Sequence, residues 1–281
     1  MPTFPTPTPI DLAVNLPVGR LDVVAGDRDD TVVTVSPTNA SKEADRRGAA
    51  DTKVVFDGSR LTITGPRSRP IFIGPTESVD VKVELPAGSR LTAEMSVGGI
   101  CTVGRLGATR VKNSTGVVEL DVTGDLWVRA GHGGVTLGTA EGGAEITADH
   151  GHIGVGTIAG DALLKASHGA VSIDEAGGDL DAKLSYGQLD IGTARASVTA
   201  KTAYGNITVR EVSRGATSLE SAYGQLSIGV RPGVPAWLDL STKLGQVRSE
   251  LDGDRAPDPA EETVSIRART QGGDILVRRA R

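Results

Sequence analysis

The chain has 281 residues, a formal net charge of −5, 37 glycines and only 3% aromatic residues. That acidic balance gives no footprint for nucleic acid or an anionic membrane, and no apolar run approaches the ~18 residues of a membrane-spanning helix. The single cysteine, Cys101, excludes an intrachain disulfide and fits a reducing compartment, so a cytoplasmic location is expected.

Residues 1–9 (MPTFPTPTP) lack the basic start and apolar centre of a signal peptide and read as a disordered or edge-lying lead. Residues 10–95 are β-rich but irregular. Ile10, Leu12, Val14 and Leu16 alternate, and short strands are expected at 32–35, 54–56, 61–63, 71–73 and 79–85. Residues 36–52 and 65–70 read as solvated loops. This segment is the expected N-terminal cap with the first irregular coils, because a repeat array needs atypical ends to guard its strand edges.

From residue 96 to 281 a regular repeat takes over. Anchor glycines stand at 98, 116, 133, 151, 169, 187, 205, 224, 245 and 273. Each is followed two positions later by an aliphatic residue, as in Ile153, Val171, Leu189 and Ile207. Upstream lies a second alternating set, such as Leu180/Ala182/Leu184. Two period-2 runs per repeat mean two short strands per coil. About 18 residues are too few for a strand–helix–strand crossover. The expected fold is therefore all-β, a single-chain β-solenoid with ~18-residue coils and a thin Leu/Ile-on-Ala core. A left-handed hexapeptide helix would demand aliphatics at Arg195 and Lys201 and fails. A right-handed parallel β-helix is the default for parallel crossovers. Residues 231–235 form a turn, 252–262 (DGDRAPDPAEE) a loop excursion between the last two coils, and 263–277 the closing strands.

The opening Thr-Pro-x-Pro-Ile, residues 78–89 (SVDVKVELPAGS), 201–207 (KTAYGNI) and 269–275 (RTQGGDI) resemble an actinobacterial β-strand-repeat domain of unknown function labelled "putative adhesin". The resemblance covers essentially the whole chain and implies a β-solenoid; it brings no agreed catalytic residues. The family usually places Asp after the anchor glycine. This chain keeps it only at Asp274, with Gln188, Asn206, Gln225 and Gln246 at four of the other positions.

Stacked coils bring equivalent side chains ~4.8 Å apart, so chemistry should lie in ladders. The position before the anchor reads His132, His150, His168, Tyr186, Tyr204 and Tyr223 in six consecutive repeats. These six are the candidate ligand-binding residues: a ring-lined stripe for a flat, partly apolar molecule. A plain structural role, as corner fillers whose rings stack on one another, competes with it. His132, His150, His152 and His168 form a weaker metal candidate, because Zn²⁺–N bonds of ~2.0–2.1 Å need ring nitrogens to converge. The Gln188/Asn206/Gln225/Gln246 line reads as a structural amide ladder. No P-loop, dinucleotide fingerprint, Ser-His-Asp elbow or CxxC is present. The leading expectation is a non-catalytic binding or interaction scaffold without a cofactor. The alternatives are a small-molecule-binding protein, sequestering or catalytic, built on the ladder, or a surface adhesin as the family label suggests. The partner is a protein or a small planar ligand, and homo-oligomers through a solenoid face or end fit the fold.

Overall fold

In a computed structural model, which describes residues 2–66, 77–251 and 263–280, the alternating apolar runs form parallel ladders. The expected strand at 71–73, residues 67–70 of the second loop and the excursion at 252–262 lie outside the described residues. Among the described residues, apart from one nine-residue helix, the regular elements are strands. The chain divides into two compact units, Met1–Glu141 and Gly142–Arg281, and each is β-solenoid.

The first unit is built on two long strands, Asp11–Gly26 and Arg90–Val103, which run parallel with Leu12 beside Leu91, Gly19 beside Gly98 and Leu21 beside Ile100. The cap/coil boundary expected at 95/96 falls inside the second of these strands, next to the buried Met95. Arg60–Thr64 and Val79–Pro86 also lie parallel to Asp11–Gly26. Antiparallel strands complete the cap: Asp30–Pro37 pairs with Val79–Pro86, and Lys53–Phe56 with Arg60–Thr64. Two further coils, Thr109–Thr123 and Leu126–Ala140, follow in register.

One expectation in this unit is narrowed and another corrected. The lead takes the edge-lying of its two readings and not the disordered one: Thr3–Pro5 pairs antiparallel with Asp30–Val32, and the buried Thr6 hydroxyl lies 2.8 Å from that of Thr31. Within 36–52, read as a loop, Glu43–Asp51 forms a helix. It has no 3.6-period apolar stripe to announce it. A buried carboxylate anchors it instead: Asp45 accepts hydrogen bonds from the backbone N–H groups of Asn39 and Ser78, both at 3.1 Å.

The second unit is more regular. Ala144–His150, Ala162–His168, Leu180–Tyr186, Val198–Tyr204 and Gly215–Tyr223 stack as one parallel ladder. Ile153–Ile158, Val171–Ala176, Leu189–Ala194, Ile207–Val212 and Leu226–Val230 stack as a second. The core is the expected thin one, with Ala148, Ala166, Ala182 and Ala200 buried on the first ladder and Ile153, Val171, Leu189 and Ile207 on the second.

At its end the order of coils departs from the order of the sequence. Val264–Gly272 pairs with Gly215–Tyr223 on one side and with Ala236–Leu244 on the other. Ile275–Arg279 likewise lies between Leu226–Val230 and Val247–Ser249. The C-terminal strands are therefore inserted, and the coil at 236–249 is the outermost among the described residues. A repeat period locates coils but does not say which neighbours stack. Burial shows the outcome: Ile266, Ala268 and Ile275 are closed off, whereas Trp237, Leu244 and Val247 are exposed.

Anchor glycines such as Gly187 serve two purposes. Gly187 has φ +153°, a region that side chains disfavour, and a Cβ built on it would overlap the carbonyl oxygen of Gly169 in the adjacent coil. Close approach lets the Gly169 N–H donate to the Tyr186 carbonyl at 3.0 Å and the Val171 N–H to Gln188 at 2.8 Å.

Gly187→Ala is expected to cost at least ~2 kcal/mol in a urea titration, whereas Gly26→Ala, whose added Cβ would meet nothing within 4 Å, should stay within about 0.5 kcal/mol of wild type. Asp45→Ala leaves two N–H groups without their acceptor, and the same titration should show a loss of about 2 kcal/mol.

Candidate functional site: a stacked ring stripe

The residue before each anchor glycine follows interior positions at minus seven, minus five and minus three, such as Leu180, Ala182 and Leu184, all buried. Strict alternation would turn that residue inward too. The glycine corner breaks the alternation, and Tyr186, Tyr204 and Tyr223 keep 51%, 48% and 52% of their surface. The ladder register places His150 beside His168, His168 beside Tyr186, Tyr186 beside Tyr204 and Tyr204 beside Tyr223.

The five rings form one continuous stack. Successive centroids are 4.8, 5.1, 5.1 and 5.3 Å apart, with planes within 3°, 9°, 1° and 13° of parallel. The spacing is that of the strands, so the backbone sets it. The stack stops at Gly272, which stands beside Tyr223 in the inserted coil, with Leu244 beside Gly272 in the coil after. A Cβ on Gly272 would lie 3.1 Å from Tyr223 Cδ1, so the ring leans over the glycine. The face of Tyr223 turned away from Tyr204 thus finds no side chain at the equivalent position of the next coil.

Two candidates remain, His132 and His152. His132 is exposed at the end of Leu126–His132 in the first unit, in register with Thr115 and, one coil further, Val97. His152 lies beyond the anchor, with Nε2 3.3 Å from the Ser172 hydroxyl, and is not a ring of the stack. Among the described residues no group of three or more His, Cys, Asp or Glu side chains is disposed to hold a metal ion. Parallel imidazoles 4.8 Å apart also point their nitrogen lone pairs side by side, whereas chelation needs them to converge.

The amide line is corrected in detail. Asn206 Oδ1 accepts from the Gln225 backbone N–H, and Asp274 Oδ1 from that of Gln246, each at 2.8 Å. Gln188 and Gln246 instead engage Asp190 and Arg248 on their own strands. The shorter side chains reach the main chain of the neighbouring coil, and glutamine, one methylene longer, passes it. This explains the use of Asp at the position.

Sequence reading missed two further columns. The Asp161 and Asp179 carboxylates each accept the backbone N–H one coil on, from Asp179 and Ser197, at 2.9 and 3.0 Å; the same 18-residue period carries them. In the first unit the Arg110 guanidinium lies 3.7 Å from the centroid of the Trp127 ring. The second unit also carries an open depression of about 340 Å³ lined by Thr193, Thr208, Arg210, Glu211, Ser227 and Arg278 among others. No helix among the described residues is long and apolar enough to cross a membrane.

A family model described as Toastrack DUF4097 matches residues 15–278. The chain belongs to this family. The Toastrack β-solenoid is therefore what the paired ladders and anchor glycines build. No curated protein matches the chain. Among solved structures it is similar to a "putative cell adhesion protein" from Clostridium sporogenes (10% identity, 99% of this chain and 98% of that one, TM-score 0.27). It is also similar to "putative adhesins" from Bacteroides fragilis (14%, 98% and 95%, 0.36) and Parabacteroides merdae (10%, 98% and 94%, 0.35). At these TM-scores the likenesses carry no argument, and the architecture rests on the ladders themselves.

A double-mutant cycle on Tyr186→Ala and Tyr204→Ala, read by urea unfolding, is expected to give a coupling of about 0.5–1.5 kcal/mol for the stacked pair.

Proposed function

We propose that this Toastrack protein is a non-catalytic binding scaffold whose ring stripe, from His150 to Tyr223, receives a flat, partly apolar ligand at its open end. The observation that carries the reading is the interruption at Gly272: four regular ring-on-ring contacts are followed by a coil that leaves the outer face of Tyr223 without its next partner. An aromatic face stacks a planar group through the same offset contacts that hold the ladder together. Imidazole and phenol edges along the stripe supply hydrogen-bond donors and acceptors to such a ligand. A cytoplasmic location is supported by the lone cysteine, and an actinobacterial source by the sequence resemblance described above.

Thermal unfolding against a panel of flavones and naphthoquinones tests this, run on wild type and on the Tyr186→Ala/Tyr204→Ala/Tyr223→Ala variant. A ligand at ~100 times its dissociation constant contributes about 2.7 kcal/mol, which raises the midpoint by about 5 °C or more in a chain of this size. A shift confined to the wild type supports the stripe. Equal shifts in both proteins, or none with any compound, would count against it.

A further inference from the structure

The outermost coil of the second unit is an open edge. Ala236–Leu244 and Val247–Ser249 each pair with strands on one side only among the described residues. In a parallel ladder alternate residues aim both their N–H and C=O at the same neighbour; the Pro235 carbonyl accepts from the Val264 N–H of the inner coil, so Ala236, Leu238, Leu240 and Thr242 turn their backbone groups outward, where no strand among the described residues meets them. Its side chains are uncovered as well: Trp237 is 64% exposed, Leu244 73% and Val247 45%. The cap at the start of the chain, in the first unit, is made differently, with antiparallel strands and a buried helix face. An apolar edge with free backbone groups is a template for another strand.

The edge is complementary to itself. In an antiparallel pairing about a two-fold axis at Ser241, Leu240 faces Thr242 of the second chain and Asp239 faces Lys243. The outward-aimed backbone groups of Leu240 and Thr242 then meet on both sides of the axis, as the ladder requires, whereas the Leu244 carbonyl turns inward to accept from the Gly273 N–H at 2.8 Å. Opposite charges meet twice, once on each side of the axis. Asp239 is held ionised: hydrogen bonds from Arg267 at 3.0 Å and Arg269 at 3.2 Å keep its carboxyl below the ordinary range. A carboxylate has room for a further donor from Lys243.

We propose that this coil is a self-association edge, through which two copies of the chain join end to end by antiparallel pairing of residues 239–243 about Ser241. A two-fold axis makes such a contact closed, so the assembly stops at a dimer. The proposal is independent of ligand binding on the ring stripe, and its test leaves that stripe unaltered.

Sedimentation equilibrium of the full chain should give twice the 28.9 kDa chain mass. Asp239→Lys sets lysine against lysine and Lys243→Asp sets aspartate against aspartate, so each variant alone should raise the dissociation constant about tenfold or more. Mixing the two restores opposite charges at both positions, and the mixture should recover the dimer. That recovery also shows that both variants fold. A wild type that stays monomeric overturns the proposal, as does a dimer indifferent to both substitutions or two variants that fail to recover on mixing.

Discussion

The structure depends on how closely one coil can approach the next at the glycine corner. At Gly169, Gly187 and Gly205 the carbonyl of each coil occupies the space where a side chain of the next would begin. Both N–H···O bonds that bracket the corner rely on that approach, as with Gly187 to Tyr204 and Leu189 to Asn206, each at 2.9 Å. A residue with a Cβ would push the coils apart at one point and spoil the register of both ladders. The anchor carbonyls are used again from inside: Ser221 and Thr270 hydroxyls donate to those of Gly205 and Gly224, both at 3.2 Å. Ser221 and Thr270 thus sit in the thin core with their hydroxyls satisfied, whereas the buried Thr202 hydroxyl, in register with Ser221, has no such partner.

The ring stripe follows from the same corner. Because the chain turns at the glycine, the preceding side chain is released from the interior and stands at the rim, and the ladder repeats it once per coil. Stacking at about 5 Å is therefore imposed by strand spacing, and the rings contribute attraction along a direction the backbone has already chosen. That makes the stripe rigid. A rigid aromatic surface loses little conformational freedom on binding, which is why its open end at Tyr223 is the more informative place than the middle of the stack. Hydrogen bonding at the corners is shared among short side chains, Asp161, Asp179, Asn206 and Asp274, each spanning one coil step to a backbone N–H.

The fate of the last coils shows how little local sequence says about stacking order. The coils at 215–230 and 264–279 have interior residues of similar character, and so does the coil at 236–249, with Leu238, Leu240 and Thr242. The coil that packs between two neighbours buries its set, and the one left outside leaves Leu238 exposed and Leu240 and Thr242 half-buried. The result is an end whose coil has a strand neighbour on one side only among the described residues, with exposed apolar side chains, a surface whose chemistry comes from its place in the stacking order.

Sequence by itself determined the repeat: glycines 17–19 residues apart from 98 to 224, two apolar runs per coil, and hence an all-β solenoid with equivalent residues in columns. Periodicity is a one-dimensional property, and it survives into the structure because each strand pairs with its equivalent in the next coil. The alignment of His150, His168, Tyr186, Tyr204 and Tyr223 was legible for that reason. Tertiary structure decided the rest. Whether the rings faced in or out depended on a corner that breaks alternation. Helix Glu43–Asp51 depended on Asp45 meeting backbone from Ser78, a contact 33 residues away. The position of coil 264–279 between two earlier ones depended on a competition for neighbours. These are comparisons between distant parts of the chain, and a local pattern contains no term for them.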